Sequence, residues 1–237
     1  MTNDVQILNN GYPMPAVGLG VYKIADEQME EVVRTALDAG YRAFDTAYFY
    51  GNEKALGSAL KHSNVERDEL FITSKLWNDY QGYDQTIEYF NKSLDNLGLD
   101  YLDLFLIHWP CENDQLYIES YKALEHLYEE GKIKAIGVCN FKIHHLEKLM
   151  KETKITPQVN QIELHPYFNQ QDVQDFCDEH DIKVTASMPL MRNKGLLDDP
   201  VITDIAHRYD KTPAQIVLRW HLAHNRIIIP KSQTPKR

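Results

Sequence analysis

No stretch of this chain stays apolar long enough to cross a bilayer, and its opening MTNDVQILNN lacks the apolar core of a signal peptide. A cytoplasmic location with no membrane partner is the expectation. Cysteine is scarce: Cys111, Cys139 and Cys177 are odd in number and far apart. That weighs against a disulfide framework and fits reduced thiols. Paired Cys/His spacing is also missing, so no metal is expected. Positive charge is in deficit, 25 Lys+Arg against 35 Asp+Glu for a formal charge of −10. An acidic surface argues against nucleic acid and anionic membranes as partners, though not against a local basic pocket for a phosphate. No linker, low-complexity tract or composition shift divides the chain, so residues 1–237 read as one domain.

Five apolar runs are present, and each ends in a polar residue: Tyr41 to Asp45, Leu70 to Lys75, Leu102 to His108, Ala135 to Asn140 and Val159 to Glu163. A helical pattern follows each of them. The first helix carries Met29, Val32, Val33, Ala36 and Leu37 at helical spacing, with Asp26 as its expected cap. Further helices are expected from about Asn52, over Asp84 to Leu97, Leu116 to Glu130, Ile143 to Lys151, Gln170 to Glu179, Asp199 to Tyr209 and Pro213 to Ala223. Lys183 to Ala186 and Ile227 to Ile229 add strands, and Val17 to Leu19 serves as the first. Val5 to Leu8, a turn at Asn10-Gly11 and Met14 to Val17 read as a hairpin that could plug a barrel's lower end. The chain length is close to the roughly 250 residues of an eight-fold βα barrel. An α/β fold of the (β/α)8 type is therefore expected. An open doubly wound sheet fits the same alternation, but no GxGxxG turn follows an early strand.

Chemistry in a parallel barrel sits at the carboxyl ends of the strands. Asp45, Lys75 and His108 arrive there on three strands, with Tyr50 a few residues past Asp45. A Lys ammonium beside a phenol makes the phenol a better acid, and a carboxylate keeps that ammonium charged and oriented. A histidine can donate a hydrogen bond to a substrate oxygen. Together these groups suit protonation of a carbonyl oxygen during reduction. Asp45 and Lys75 could equally form an ion pair of purely structural use, and Tyr50 could be packing.

The segments GYPMPAVGLGVYK, FDTAYFYGNE, ITSKLW, LIHWP, GVCNF, VNQIELHP and IPKSQTPKR occur in the order found in aldo-keto reductases. From about Val5 to its last residue the chain resembles that superfamily, specifically the bacterial branch often called 2,5-diketo-gluconate or glyoxal/methylglyoxal reductase. The resemblance implies NADPH-dependent reduction of small aldehydes and ketones to alcohols. It implies Tyr50 as proton donor, Lys75 and Asp45 as its tuning pair, and His108 as the group that positions the carbonyl. Asn140 and Gln161 match residues that hold the nicotinamide amide. Gly20, Val21 and Tyr22 match the loop beside nicotinamide and substrate, and Trp77 and Trp109 match pocket walls. Lys231 and Ser232 match the phosphate segment, and Arg237 the arginine for the 2′-phosphate.

Three departures accompany the resemblance. Cys139 stands where the family has Ser, and a thiol is a weaker hydrogen-bond partner. Ser187, followed by Met188, occupies the place of the aromatic that stacks on nicotinamide. The family also continues past Arg237 through a final helix and a C-terminal loop. A C-terminally incomplete barrel is therefore expected, with the apolar back of the last strand uncovered and self-association possible through that gap. These departures leave a second reading, a catalytically impaired barrel with a nucleotide-binding or regulatory role. A third, a barrel isomerase, would turn over without nicotinamide.

Overall fold

A computed structural model describes residues 5–234. The expectation for Arg237 lies outside the described residues. Two short antiparallel strands, β1 (Val5–Ile7) and β2 (Pro13–Pro15), form the N-terminal hairpin. Eight further strands make one parallel sheet in sequential order: β3 (Gly18–Gly20), β4 (Ala43–Asp45), β5 (Phe71–Leu76), β6 (Leu102–Ile107), β7 (Ile133–Cys139), β8 (Val159–Glu163), β9 (Lys183–Ser187) and β10 (Ile227–Ile228). The two ends of the sheet meet. Val17 bridges to Ile228 in parallel, Ile228 donates its N–H to the Ala16 carbonyl at 2.9 Å, and Gly20 donates to the Pro230 carbonyl at 3.1 Å. The curve thus comes round to a nearly closed barrel, which settles the open-sheet alternative.

The helices alternate with the strands: α1 (Asp26–Asp38), α2 (Glu53–Lys61), α3 (Tyr83–Leu97), α4 (Asp114–Glu129), α5 (Ile143–Glu152), α6 (Gln171–Glu179), α7 (Pro200–Tyr209) and α8 (Pro213–Ala223). Boundaries differ from sequence expectation mainly at the caps. Ala25, not Asp26, holds the capping position of α1, and Asp26 lies in the first turn, where its charge faces the positive end of the helix. Asn113 caps α4 by accepting from the Gln115 N–H, so this helix starts ahead of Leu116. Asp199 caps α7 through the N–H groups of Val201 and Ile202, with Pro200 at the first helical position.

Side chains alternate across each strand, and the two core layers record it. Phe44, Ile72, Phe105, Ile107, Ile136, Val138, Val184 and Ala186 face the helices. Ala43, Phe71, Leu104, Leu106, Ala135, Cys139, Val159 and Ile227 face into the barrel, joined there by Leu8 and Met14. The hairpin therefore closes the lower end, as its position in the sequence suggested. Gly18 and Gly20 are explained by closure: a Cβ on Gly20 would lie 3.0 Å from the Ile229 carbonyl oxygen. The outward-facing Ile228 is only 1% exposed, with α8 packed beside β10. The apolar back of the last strand, expected to be uncovered, is buried.

Candidate active site

The inward phase of each strand decides which side chains meet. Asp45 follows Ala43 by two residues, Lys75 follows Phe71 by four, His108 follows Leu106 by two, and Gln161 follows Val159 by two; all share the inward face at the carboxyl end. Lys75 has no exposed surface. Its Nζ lies 2.5 Å from Asp45 Oδ1, 2.8 Å from the Thr46 carbonyl and 3.5 Å from the Tyr50 hydroxyl. The ion pair expected from sequence is present: it is buried, and its ammonium reaches the Tyr50 hydroxyl.

Burial alone would lower the Lys75 pKa, but the Asp45 carboxylate offsets this and holds it above the ordinary ammonium range. Lys75 therefore stays charged. Tyr50 is shifted up from the usual phenol value, chiefly by burial. The Lys75 ammonium opposes the shift and the Asp45 charge adds to it. Proximity to Lys75 thus does not by itself make Tyr50 a stronger acid than a free phenol; it limits the rise that burial imposes. His108 is driven the other way, to about 3, by burial and by Lys75, so its ring is neutral at any working pH. Its Nδ1 is buried without a hydrogen-bond partner among the described residues.

Aromatic rings wall this group. Tyr22 lies 4.7 Å from Tyr50 between ring centroids, and the His108 ring stands edge-on to both Tyr50 and Trp77. Trp77 stacks on Phe49 at 3.8 Å, and Trp109, 46% exposed, stands at the rim. Sequence reasoning missed Phe49, although it sits inside the FDTAYFYGNE segment between the residues singled out. It also missed Thr46 and Asn52. Thr46 donates its hydroxyl to Asn52 Oδ1, and Asn52 donates to the Val21 carbonyl, fixing the loop that carries Val21 and Tyr22 to the loop that carries Tyr50.

The remaining expected contacts divide into two groups. Asn140 donates Nδ2 to the His108 carbonyl at 3.0 Å, and Gln161 donates Nε2 to Asp45 Oδ2 at 2.8 Å. Each amide thereby turns its oxygen away from those partners, as an acceptor for a donor such as a carboxamide NH2. That is a fit to nicotinamide drawn from the chain's own hydrogen bonding. Cys139 is buried inside the barrel and its thiol is pushed well above the usual range, first by burial, so it is no thiolate. Ser187 ends β9, half-buried, facing inward with Gln161 and Lys75. Lys231 and Ser232 lie apart from the acid group, beyond the barrel closure. Lys231 donates to Gln233 Oε1, and Gln233 donates to Gln28 of α1. Burial and the neighbouring Lys23 lower the Lys231 pKa, so two ammonium groups share that region.

The family model described as "Aldo/keto reductase family" matches residues 16–237. Glyoxal reductase of Bacillus subtilis (strain 168) is 49% identical over 230 residues, 97% of this chain and 82% of that protein. Methylglyoxal reductase DkgA of Escherichia coli (strain K12) is 48% identical over 231 residues, 97% of this chain and 83% of its own length. A Gox0644 mutant solved in complex with NADPH superposes with a TM-score of 0.95 at 43% identity, covering 100% of this chain and 86% of that one. With a parallel barrel, a phenol–lysine–carboxylate group at its carboxyl end and these similarities in agreement, the chain belongs to the aldo/keto reductase family.

Proposed function

We propose that this protein reduces small aldehydes and ketones, dicarbonyls such as glyoxal and methylglyoxal among them, to alcohols with NADPH. The observation that carries the reading is the buried Lys75 ammonium held between Asp45 and Tyr50. When bound, the reduced nicotinamide supplies the hydride that reaches the carbonyl carbon. As negative charge builds on the carbonyl oxygen, Tyr50 gives it the phenolic proton. The phenolate left behind is stabilised by the Lys75 ammonium 3.5 Å away. His108, neutral, donates from Nε2 to the same oxygen and holds it toward Tyr50. Asp45 keeps Lys75 charged and aimed.

Asn140 and Gln161 would hold the nicotinamide amide, with Gly20, Val21, Tyr22 and Ser187 around the ring. Lys231 and Ser232, with Lys23 nearby, would meet the phosphates. Trp77 and Trp109, with Phe49, would wall the carbonyl compound; such flat apolar faces suit a small substrate. Among the described residues no helix is long and apolar enough to cross a membrane.

Tyr50→Phe tests the reading. NADPH binding, followed by the change in cofactor fluorescence, is expected to persist, while methylglyoxal reduction falls by about 10²- to 10⁴-fold, the range for loss of a positioned general acid. Undiminished turnover in this variant would sink the assignment. Saturable NADPH binding with no turnover of any carbonyl by the unaltered protein would instead favour the impaired-barrel reading, which Ser187 in place of a stacking ring motivates.

A further inference from the structure

Gln161 is placed to do more than hold a cofactor amide. It sits at the inward end of β8, 5% exposed, and donates Nε2 to Asp45 Oδ2 at 2.8 Å. Lys75 takes the other oxygen, Oδ1, at 2.5 Å. The two oxygens of one buried carboxylate are thus held by two different donors, and a continuous chain of polar contacts runs from Gln161 through Asp45 and Lys75 to the Tyr50 hydroxyl.

The contact also fixes the amide. A flipped Gln161 would set its oxygen against the Asp45 carboxylate, acceptor against acceptor, where both residues are largely buried. Its NH2 must face Asp45, so its Oε1 faces elsewhere. No described residue donates to that oxygen, and the Gln161 backbone carbonyl accepts from the Asn140 N–H at 2.9 Å, which ties the two amide-bearing residues together.

We propose that Gln161 is a positioning residue for the proton donor: it holds Asp45, and through Asp45 and Lys75 it links the nicotinamide seat to Tyr50. The proposal rests on the reductase reading for the identity of the ligand, but the Gln161–Asp45 contact belongs to the chain itself. Loss of the Gln161 donor leaves one Asp45 oxygen buried and unsatisfied. The carboxylate's charge is then less compensated and acts more strongly on the phenol, so Tyr50 should ionise at higher pH. Asn140 makes no hydrogen bond to Asp45 and serves as the contrast, since its Nδ2 donates to the His108 carbonyl.

The experiment uses the cofactor-free protein first. Tyrosinate absorbance is titrated in the protein and in Gln161→Met and Asn140→Ala, with the curve of the matching Tyr50→Phe variant subtracted from each, so that Tyr50 alone is read. Gln161→Met should move the Tyr50 titration upward by about half a pH unit or more, and Asn140→Ala should leave it in place. Steady-state kinetics with methylglyoxal and NADPH then add a second readout. Asn140→Ala should raise KM for NADPH without moving the alkaline limb of kcat, whereas Gln161→Met should do both and lower kcat about tenfold. A Tyr50 titration unmoved in Gln161→Met overturns the proposal and leaves Gln161 a cofactor contact only. Where that variant fails to fold, Gln161→Glu, of the same shape, sets a second carboxylate beside Asp45 and must move the titration upward too; no movement there is equally fatal. Absence of carbonyl turnover in the unaltered protein would count against the reductase reading, while the apoprotein titration would still decide the role of Gln161.

Discussion

Lys75 has no contact with water, so its charge persists through the Asp45 carboxylate at 2.5 Å and the Thr46 carbonyl at 2.8 Å. A buried pair of this kind is weak evidence for stability, because desolvation offsets much of the attraction. Breaking it is another matter. Lys75→Met leaves Asp45 buried and uncompensated, and should cost about 3–5 kcal/mol of folding stability along with reductase activity. Adding Asp45→Asn to it should restore part of that stability without restoring turnover. Denaturant unfolding of the two singles and the double checks this, and additive losses would refute it. Asp45 and Lys75 were legible in the sequence because polar residues closed apolar runs. That Asp45 also receives Gln161 was not, since 116 residues separate them.

At the scale of elements, the strands place the chemistry and the helices hold the strands. Every residue of β5 and β6 is buried, polar ones included: Lys75 points inward to Asp45, while Ser74 and Asp103, on the opposite phase, are satisfied by Glu53 and Arg67. The helix pair α2 and α3 shows how tight the outer layer is: a Cβ on Gly57 would lie 2.2 Å from the Leu97 carbonyl oxygen. Gly57→Ala improves helix propensity in isolation. Here it should nevertheless destabilise the protein by about 1–3 kcal/mol or more, because α2 must shift off α3. A lowered midpoint in thermal or urea unfolding is the expected result, and a raised one would show that the two helices separate freely. The ten-residue α7, expected from sequence over nearly the same span, sits as an extra helix between β9 and α8 and packs its own small core of Leu196, Ile202 and Val217.

For the whole molecule, acid is the foreseeable weakness. Burial pushes His108 to about 3 and His221 to about 4. Both are lowered in the fold, so the unfolded chain takes up their protons first, near the ordinary value of about 6.5. Their contribution to stability is full above that pH and is lost as pH falls toward 4. In that window stability should drop by about 1.4 kcal/mol per pH unit for each histidine. Urea unfolding at pH 7 and at pH 5 measures the drop, and His221→Gln, away from the site, should make the slope shallower. A flat profile between these pH values would contradict the buried neutral state. For the same reason, reduction should show no inflection near pH 6.5 from His108, since that ring is already neutral there.

The sequence alone determined the alternation of strand and helix, the hairpin, and the arrival of Asp45, Lys75 and His108 at strand ends, because periodicity and strand termini are local properties. Caps were the local detail it misplaced: Ala25 rather than Asp26, and Asn113 ahead of Leu116, since a cap depends on which N–H groups the preceding loop leaves open. Only tertiary structure decided that the sheet closes through Val17 and Ile228 and that Ile228 is buried rather than bare. Only tertiary structure stacked Phe49 on Trp77 and gave the second Asp45 oxygen to Gln161. Those outcomes depend on which distant segments are brought together, and closure of the barrel, not any local preference, brings them together.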